Sequence, residues 1–277
     1  MVAIKPTLII EDCSALGNIS MTAAATAIES LGGYAVSLPS VLLSTQTEGF
    51  GVPTRLDTAE WMVDTNAHWS RENIDFSGSV VGYLGREEII AAVAKILDSR
   101  SYSLVVVDPV MADLGKLYPG FDDDYPQQML QLCRSADVIT PNWTELCLLA
   151  GMPVEEPTTD RYFAAVAVLR ESGVNCQVVV TGIPDGERIA CWLADGDDVK
   201  VVSTKRLPGH FYGTGDLFAA LLYGFLQKGQ SLHTAVQSAT EALSVAVEET
   251  SGGDDADRKF GMRLFELIKC LTRGDAQ

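Results

Sequence analysis

Residues 104–113 read Leu-Val-Val-Val-Asp-Pro-Val-Met-Ala-Asp, so that four aliphatic residues run directly into Asp108 and Pro109. Consecutive apolar residues predict a strand that is buried on both faces, which is typical of a parallel sheet covered by helices. We therefore predict a strand over residues 104–108, with Asp108 and, five residues on, Asp113 at its carboxyl end. The rest of the chain repeats this pattern and thereby indicates the fold class.

Short β-branched runs alternate with longer segments in which apolar residues have helical spacing. Further buried strands are predicted over residues 7–10, 36–38, 79–83, 138–140 and 177–181. The helical patterns between the strands cover residues 20–31, 58–69, 86–99, 127–133, 142–150 and 162–172. Strands separated by helices of this length imply βαβ units, and hence a mainly parallel central sheet with helices on both faces.

The C-terminal third departs from this alternation. Residues 189–193 and 199–203 predict two strands joined by Ala-Asp-Gly-Asp-Asp, which supplies the turn of a hairpin. After Pro208 the pattern is helical, over residues 216–228, 232–248 and 258–269. Because there is no internal repeat and no Gly/Ser/Pro-rich linker, we predict a single three-layer α/β domain over residues 1–277.

The composition disfavours several classes of function. The 37 acidic and 20 basic side chains give a formal charge of −17, which disfavours binding to nucleic acid or to an anionic membrane. No apolar run approaches the roughly 18 residues of a bilayer span, and Glu11 and Asp12 end the short N-terminal apolar stretch, unlike a secretory signal. The six cysteines lack the spacing of metal ligands and predict a reducing compartment, so we expect a cytoplasmic protein.

Gly213-Thr214-Gly215-Asp216 precedes the apolar helical run Leu-Phe-Ala-Ala-Leu-Leu. The glycines allow close approach of the backbone, and the free N–H groups of the first helical turn favour an anion, as does the helix dipole. Asp216 has two interpretations at this point. It is either an N-cap of the helix or a general base that takes the proton of a hydroxyl attacking a phosphoryl group.

Two common phosphate-binding motifs are excluded. The dinucleotide fingerprint G-x-G-x-x-G requires glycine where Phe218 stands, and it belongs after the first strand of a βαβ unit. The Walker loop requires Ser or Thr after Gly-Lys, whereas Gly115-Lys116 is followed by Leu117. If this protein transfers phosphate, it does so with a different motif.

Polar residues follow two of the predicted strands. Asp108 and Asp113 come after the strand over residues 104–108, while Asn142 and Glu145 come after the next strand. Ligands bind at the carboxyl ends of strands in open α/β sheets, and carboxylates there can hold Mg²⁺. The structural alternatives are that Asp108-Pro109 simply ends the strand, and that Asn142 is a helix N-cap with an acid, Glu145, at N3. Together with the glycine loop, these residues favour a nucleotide–Mg²⁺ site.

Several segments, in the same order from about residue 8 to about residue 227, resemble the pyridoxal kinases of the ribokinase-like superfamily. The matching segments are Asp108-Pro-Val-Met, Thr140-Pro-Asn142-x-x-Glu145, Gly213-Thr-Gly-Asp216-Leu-Phe, Ser44-Thr-Gln-Thr47 and Ser79-Val-Val-Gly-Tyr83-Leu-Gly85. The last two are similar to the family's Ser-Asn-His-Thr and Ser-Gly-Tyr-Leu-Gly segments and indicate vitamin B6 rather than a sugar. The resemblance implies the ribokinase-like fold and ATP-dependent 5′-phosphorylation of pyridoxal, pyridoxamine or pyridoxine.

Carried over by position, the resemblance also implies roles for individual residues. Asp216 is the implied base for the substrate's 5′-hydroxyl, and Gly213, Thr214 and Gly215 form the anion hole for the transferred phosphate. Thr47 and Tyr83 are implied to contact the pyridine ring. The implied ATP contacts are Tyr118, Asn142, Glu145, Thr181, Gly182, Thr214 and Gly215. The implied cation ligands are Asp113 and Glu145 for Mg²⁺, and Asp108, Thr140 and Thr181 for a monovalent ion such as K⁺ or Na⁺.

Two departures from the family pattern affect the predicted substrate and activity. The family commonly has a serine at the end of the first strand, where this sequence has Asp12, with Ser14 two residues on. Either side chain is a candidate for the ring, and an Asp could pair with a protonated ring nitrogen. Gly182 replaces a serine near the ATP phosphates. The departures leave open a B6- or nucleotide-binding protein without turnover.

The enzymatic alternative is hydroxymethylpyrimidine kinase. The branch of the family that acts on both vitamin B6 and hydroxymethylpyrimidine has a cysteine at the position before the glycine turn. This sequence has Tyr212 at that position, which disfavours the alternative. A sugar kinase is disfavoured because Gly-Gly-x-x-x-Asn is missing near the N-terminus and no inserted β-lid is predicted. Residues 205–210 are predicted either to cover ATP or to form a plain exposed loop. The resemblance further suggests a homodimer.

Overall fold

The computed structural model describes residues 5–274, and these residues form the predicted α/β architecture. Residues 1–4 and 275–277 of the predicted domain lie outside the described part of the chain. The strands are β1 (Thr7–Ile10), β2 (Cys13–Ser14), β3 (Ala35–Ser37), β4 (Val41–Leu43), β5 (Arg55–Asp57), β6 (Gly78–Val81), β7 (Leu104–Val107), β8 (Ala112–Asp113), β9 (Lys116–Leu117), β10 (Val138–Ile139), β11 (Gln177–Asp185), β12 (Arg188–Asp195) and β13 (Asp198–Lys205).

Eight strands form the main sheet, in the order β13-β12-β11-β10-β7-β6-β1-β3. The strands from β3 to β11 pair in parallel, whereas β11, β12 and β13 pair antiparallel and include the predicted hairpin. Ile10 pairs with Val81, and Val81 pairs with Val107, so that β1, β6 and β7 end side by side. Polar residues that follow these strands therefore meet at one edge of the sheet.

Helices cover both faces of the main sheet. They are α1 (Met21–Ser30), α2 (Ala59–Arg71), α3 (Glu87–Asp98), α4 (Tyr125–Cys133), α5 (Trp143–Leu149), α6 (Thr159–Glu171), α7 (Thr214–Gln227), α8 (Leu232–Ser251), α9 (Asp255–Arg258) and α10 (Phe265–Gly274). Alternate residues along each strand face opposite helical layers. Ile9, Val80 and Val106 pack with α1, α7, α8 and α10. The apolar residues next to them in the same strands pack with α2 to α6. Each fully buried aliphatic side chain contributes about 1.5–3 kcal/mol to folding.

Two small sheets lie outside the main one and were not predicted. Strands β2, β4 and β5 form a three-stranded sheet, which the strand pattern did not predict. Strands β8 and β9 form a short hairpin directly after Asp108 and Pro109. Strands of two or three residues are too short to show the alternation on which a sequence-based prediction depends. None of the described helices combines the length and hydropathy needed to cross a lipid bilayer.

The predicted helix over residues 258–269 is wrong. Helix α9 ends at Arg258 and α10 begins at Phe265. Gly261, between them, has φ of +85°, and a Cβ at this position would collide with the carbonyl oxygen of Asn18. A left-handed residue pressed against another segment cannot continue a right-handed helix, so the chain breaks there.

Candidate active site

A cleft of about 540 Å³ opens at the carboxyl edge of the main sheet, beside the first turn of α7. It brings together residues predicted from distant parts of the sequence. Those that line it are Asp12, Thr47, Tyr83, Asp108, Asp113, Tyr118, Thr140, Asn142, Glu145, Thr181, Gly182, Gly213, Thr214, Gly215 and Asp216. Ser14 is the exception among the predicted residues, since it contacts Asp12 but does not line the cleft.

The turn before α7 is shaped by glycine. Gly213 is the N-cap residue and has φ of +81°, a left-handed conformation that glycine adopts without strain. A Cβ on Gly215 would lie 3.1 Å from Oδ2 of Asp108, so this glycine brings the turn close to the end of β7. Because Gly213 is the N-cap, Asp216 is the third residue of α7, within its first turn, and its interpretation as the N-cap was wrong.

The Asp216 carboxylate is held by a loop rather than by its own helix. Its Oδ2 accepts two hydrogen bonds from Ser20, one from the backbone N–H and one from Oγ, both at 3.1 Å. Burial raises the pKa of Asp216, and these hydrogen bonds oppose the rise. A carboxylate with a raised pKa beside an anion-binding turn is placed to accept a proton.

Ser20 was missed by the sequence analysis as a site residue. Its position before α1 suggests an N-cap, but the side chain makes no capping hydrogen bond and turns to Asp216 instead. The backbone of Ser20 has φ of +42°, which is unusual for a residue with a side chain. Strained residues of this kind concentrate at functional sites, where the surrounding structure holds them in place.

Glu145 forms a capping box with Asn142 at the start of α5. Its Oε2 accepts the N–H of Asn142, and the N–H of Glu145 donates to Oδ1 of Asn142. Its Oε1 accepts the N–H groups of Met111 and Ala112 at 3.0 and 3.4 Å. Burial raises the pKa of Glu145 to about 8, against these hydrogen bonds. Glu145 is therefore the N3 acid of a capping box, as the structural alternative predicted. The same side chain also lines the cleft.

The neighbouring polar residues join β7, β8 and α5. Asp108 is buried and its Oδ1 accepts the hydroxyl proton of Thr140 at 3.0 Å. Burial, with Glu145 and Asp216 nearby, raises the pKa of Asp108 well above its ordinary value. Asn142 donates from Nδ2 to the carbonyl of Ala112 at 2.7 Å. These contacts fix the cleft wall on the side of the predicted cation ligands.

The opposite wall contains the predicted ring contacts. Asp12 is buried, and its Oδ2 accepts a hydrogen bond from Ser14 Oγ at 2.9 Å. Burial raises the pKa of Asp12 to about 6, and the nearby side chains of Ser20 and Ser14 oppose the rise. The ring of Tyr83 lies 5.8 Å from that of Phe121, which supports it from one side.

Glu11 is a second residue that the sequence analysis missed. Its side chain is fully buried, and neither carboxyl oxygen has a hydrogen-bond partner among the described residues. It lies over Gly82, where a Cβ would be 2.8 Å from Cγ of Glu11. Burial raises its pKa well above the ordinary value, as do the charges of Asp216 and Asp12. An acid that continues an aliphatic strand could have indicated this position.

The segment that the sequence analysis assigned either to ATP or to an exposed loop borders the cleft. Lys205, Arg206, Leu207, Gly209 and His210 all line it. The segment continues through Phe211 and Tyr212 into the glycine turn, so it covers the side of the cleft next to the N-terminus of α7. Lys205 and Arg206 are the cationic residues of this segment, and both line the cleft.

The donor set at the wall fits Mg²⁺ better than a metal enclosed by protein. Within residues 5–274, no group of three or more Asp, Glu, His or Cys side chains is arranged to hold a metal ion. Mg²⁺ commonly takes one or two carboxylates and completes its shell with waters and substrate phosphates. Asp113 and Glu145, both at the cleft wall, satisfy that requirement.

Comparison with known proteins agrees with this geometry. The sequence pattern of the phosphomethylpyrimidine kinase family matches residues 21–257. The crystal structure of pyridoxal kinase from Lactobacillus plantarum superposes with a TM-score of 0.92 at 34% identity, covering 99% of this chain and 98% of that one. A pyridoxal kinase from Rubrobacter xylanophilus is 30% identical over 262 residues, which are 88% of this chain and 87% of that protein.

Other relatives match over a shorter part of the chain, and some of them are named as hydroxymethylpyrimidine/phosphomethylpyrimidine kinases. A hydroxymethylpyrimidine/phosphomethylpyrimidine kinase of Haemophilus influenzae is 31% identical over 186 residues, covering 64% of this chain and 67% of that protein. The chain spans 57% of the length of a Caenorhabditis elegans relative that is 30% identical over 191 residues.

The fold and the cleft are those of the ribokinase-like class of kinases, whose members transfer phosphate to an alcohol group. Within that class, the chain belongs to the phosphomethylpyrimidine kinase family, because the family pattern covers more than half of it. The resemblance to pyridoxal kinases, inferred above from five segments, is confirmed by the Lactobacillus plantarum and Rubrobacter xylanophilus proteins.

Proposed function

We propose that this protein transfers the γ-phosphoryl group of ATP to the 5′-hydroxyl of pyridoxal, pyridoxamine or pyridoxine. The observation that carries the proposal is the placement of Asp216. Its carboxylate lies in the first turn of α7, beside the glycine turn, and is held by Ser20 within the same cleft as Asp12 and Tyr83. The relatives and solved structures named as pyridoxal kinases support the choice of substrate.

Asp216 would take the proton of the substrate's 5′-hydroxyl as its oxygen attacks the γ-phosphorus, and ADP would leave. The N–H groups at Gly213, Thr214 and Gly215 would stabilise the charge on the transferred phosphoryl oxygens. The transition state of such a transfer is loose, so positioning and charge neutralisation supply most of the catalysis. This also accounts for ATP binding by a chain with a net charge of −17, because the local N–H groups act at short range.

We assign Asp113 and Glu145 to Mg²⁺, and Asp108, Thr140 and Thr181 to a monovalent cation such as K⁺ or Na⁺. When bound, Mg²⁺ neutralises phosphate charge. Tyr118, Asn142, Thr181 and Gly182 would border the nucleotide, under the segment 205–210. The cleft position of these residues supports the assignments. The capping role of Glu145 is compatible with them because its Oε2 accepts one N–H, that of Asn142, and keeps a second lone pair.

We assign the pyridine ring to the wall that contains Asp12, Thr47 and Tyr83. Asp12, rather than Ser14, would meet the ring, since Asp12 lines the cleft and Ser14 supports it. An ionised Asp12 would accept a hydrogen bond from the protonated ring nitrogen or from the 3-hydroxyl.

Two further proposals concern the assembly and its location. The resemblance suggests a homodimer, and the exposed Leu42 and Leu56 on the small three-stranded sheet are apolar surface of the kind that a partner covers. Sedimentation analysis tests this state. All six cysteines are unpaired, which agrees with a reducing compartment such as the cytoplasm.

The experiment that tests the function incubates the protein with ATP, Mg²⁺ and one acceptor at a time: pyridoxal, pyridoxamine, pyridoxine or hydroxymethylpyrimidine. Mass spectrometry then detects the phosphorylated acceptor, and a coupled assay measures ADP. We expect turnover with at least one B6 vitamer, and none in the Asp216→Asn variant. ADP formation without any phosphorylated acceptor would contradict the proposal.

The second candidate is hydroxymethylpyrimidine kinase. The family pattern over residues 21–257 and the Haemophilus influenzae relative favour it, whereas Tyr212 before the glycine turn disfavours it. A kcat/KM for hydroxymethylpyrimidine that exceeds those for all three vitamers would establish this alternative. Binding of vitamer and ADP without phosphorylation of any acceptor would instead indicate a protein without turnover.

A further inference from the structure

Residues 255–262, here called the C-terminal clasp, contact three loops that border the cleft. Loop 17–20 contains Ser20, loop 46–50 contains Thr47, and loop 205–212 leads into the glycine turn. The clasp begins with the short helix α9 and ends after the break at Gly261. Four of its eight residues are charged, and the sequence analysis, which predicted a helix from residue 258, gave it no part in the cleft.

Arg258 fixes the clasp to loop 205–212. Its Nη1 pairs with Oδ1 of Asp255 at 2.8 Å and donates to the carbonyl of Pro208 at 3.4 Å. The guanidinium carbon lies 4.9 Å from the ring centroid of Phe211. Gly209 has φ of +109°, and a Cβ there would collide with Nη1, so the loop packs directly on the guanidinium group.

Arg258 also contacts the C-terminal end of α8. Its Nη2 donates to the carbonyl of Ser251, the last residue of α8, at 3.2 Å. The side chain is 12% exposed, so most of its surface is used in these contacts. A guanidinium group with five donors in a rigid fork can hold a helix end, a carboxylate and a loop carbonyl at once.

The next two residues hold loop 46–50. The amide of Gln46 donates from Nε2 to the carbonyl of Lys259. The ammonium group of Lys259 lies 4.6 Å from the ring centroid of Phe50, and the ring of Phe260 meets Phe50 edge-on at 5.2 Å. Residues 258, 259 and 260 thus contact loops that line different parts of the cleft.

The end of the clasp holds loop 17–20. The N–H of Asn18 donates to the carbonyl of Phe260 at 2.8 Å, and the N–H of Met262 donates to the carbonyl of Asn18 at 3.0 Å. Two residues further along that loop, Ser20 makes its hydrogen bonds to Asp216. The clasp therefore connects the loop that holds the proposed base with the loops on either side of the proposed substrates.

We propose that the C-terminal clasp couples the nucleotide side of the cleft to the acceptor side, with Arg258 as the positioning residue. A nucleotide that orders loop 205–212 orders Arg258, and the adjacent Lys259 and Phe260 pass this restraint to loop 46–50. Binding of the first ligand orders the loops and bears the entropic cost of doing so. The second ligand then binds to loops that are already ordered, so each ligand increases the affinity for the other. The inference rests on the proposed function, since it takes ADP as the ligand of the nucleotide side.

Hydrogen exchange of the full-length protein, with and without ADP and Mg²⁺, tests this coupling without using an acceptor. The variants are Arg258→Ala, which removes the contacts with Pro208 and Phe211, and Phe50→Ala, which removes the ring contacts with Lys259 and Phe260. Arg161→Ala is the matched control. Arg161 also pairs with a carboxylate, of Glu155, and donates to a proline carbonyl, of Pro153, but it does not line the cleft.

In the wild type and in Arg161→Ala, ADP is expected to slow amide exchange in loop 46–50 by about fivefold or more, the lower range of typical couplings. In Arg258→Ala and in Phe50→Ala, ADP should slow exchange in that loop clearly less than in the wild type. Part of the effect remains because Glu48 contacts His210 directly at 3.9 Å and Gln46 keeps its hydrogen bond to Lys259 in Phe50→Ala. The KM values for ATP and for the acceptor should both rise in Arg258→Ala, with kcat changed by less than about twofold. If Arg258→Ala does not fold, Phe50→Ala decides alone.

Two results would overturn the coupling. One is that ADP binds the wild-type protein but does not slow exchange in loop 46–50. The other is that the slowing is as large as in the wild type in Arg258→Ala or, where that variant does not fold, in Phe50→Ala. Either result leaves the proposed kinase function intact, because ADP still binds and phosphorylation can be measured. If ADP does not bind the wild-type protein at all, the kinase function and the coupling fall together.

Discussion

Ser20 donates both its backbone N–H and its hydroxyl to one oxygen of Asp216, Oδ2, at 3.1 Å each. The two residues are far apart in sequence, and the loop of Ser20 adopts a left-handed conformation to make the contact. Hydrogen bonds to an ionised carboxylate favour its charged form, so Ser20 keeps the pKa of Asp216 lower than burial alone would make it. Ser20 thereby holds the Asp216 carboxylate in place and, under the proposed mechanism, would set the pH range in which Asp216 acts as a base.

The Ser20→Ala variant is expected to lose about 10-fold or more in kcat, since a hydrogen bond to a charged group is worth about 1.5–3 kcal/mol. The pKa of Asp216 should rise, so the acid limb of the kcat profile should move to higher pH. Thr26→Ala on the same helix is the control, because its hydroxyl donates to the carbonyl of Thr22. An acid limb that stays in place in Ser20→Ala would contradict the role given to this contact.

The Asp216→Asn variant should lose on the order of 10²–10⁴-fold in kcat, because the amide cannot accept the hydroxyl proton. Binding of ADP, measured by calorimetry, should survive, since the glycine turn is unchanged. A variant that keeps more than about a third of the wild-type kcat would exclude Asp216 as the base.

The Glu145→Gln variant should raise the Mg²⁺ concentration needed for half-maximal activity. It should also lower stability by about 1–3 kcal/mol, because one buried N–H loses its carboxylate acceptor. Thr158→Ala is the control, since Thr158 caps α6 by accepting the N–H of Arg161 far from the cleft. It should lose about 1 kcal/mol of stability, with the Mg²⁺ requirement unchanged. A Mg²⁺ titration that is unchanged in Glu145→Gln would leave the side chain with its capping role alone.

The Asp12→Ala variant is expected to raise KM for pyridoxal or pyridoxamine by about tenfold or more, with KM for ATP nearly unchanged. Because the pKa of Asp12 is about 6, the wild-type KM for the vitamer should rise as the pH falls below 6 and Asp12 becomes protonated. Ser14→Ala should have a smaller effect, since Ser14 acts through Asp12. A larger effect from Ser14→Ala would place the ring contact on Ser14.

The Glu11→Gln variant should be more stable than the wild type at pH 8 and equally stable at pH 4. The pKa of Glu11 is raised in the native state, so above pH 4.5 the native protein keeps a proton that the unfolded chain releases. Stability then falls with rising pH, by up to about 1.4 kcal/mol per pH unit, and glutamine removes this dependence.

Chemical unfolding at both pH values measures the difference. Glu29→Gln, which replaces an exposed carboxylate on α1, is the matched control for the loss of one carboxyl group. Equal free energies of unfolding for Glu11→Gln and the wild type at pH 8 would show that Glu11 is ionised in the native protein.

The sequence determined the layers of the fold and most of the cleft. Buried parallel strands are hydrophobic on both faces. The strand over residues 104–108 and the other buried strands can therefore be recognised without knowing which strands they pair with. Because parallel strands share a direction, the residues that follow them, such as Asp108 and Asn142, must share an edge. Glycine before an apolar helix marks an anion-binding turn from local chemistry alone. These features depend on neighbouring residues and are therefore visible in the linear chain.

Tertiary structure decided which of two uses each polar side chain has. A serine before a helix is ordinarily a cap, and only the approach of α7 turns the hydroxyl of Ser20 to Asp216. Glu145 is both a capping residue and part of the cleft wall, because β8 and α5 meet at Met111 and Ala112. The break at Gly261 and the contacts of Arg258 depend on loops more than 40 residues away in sequence. Such contacts form when distant segments pack, and no periodicity in the sequence records them.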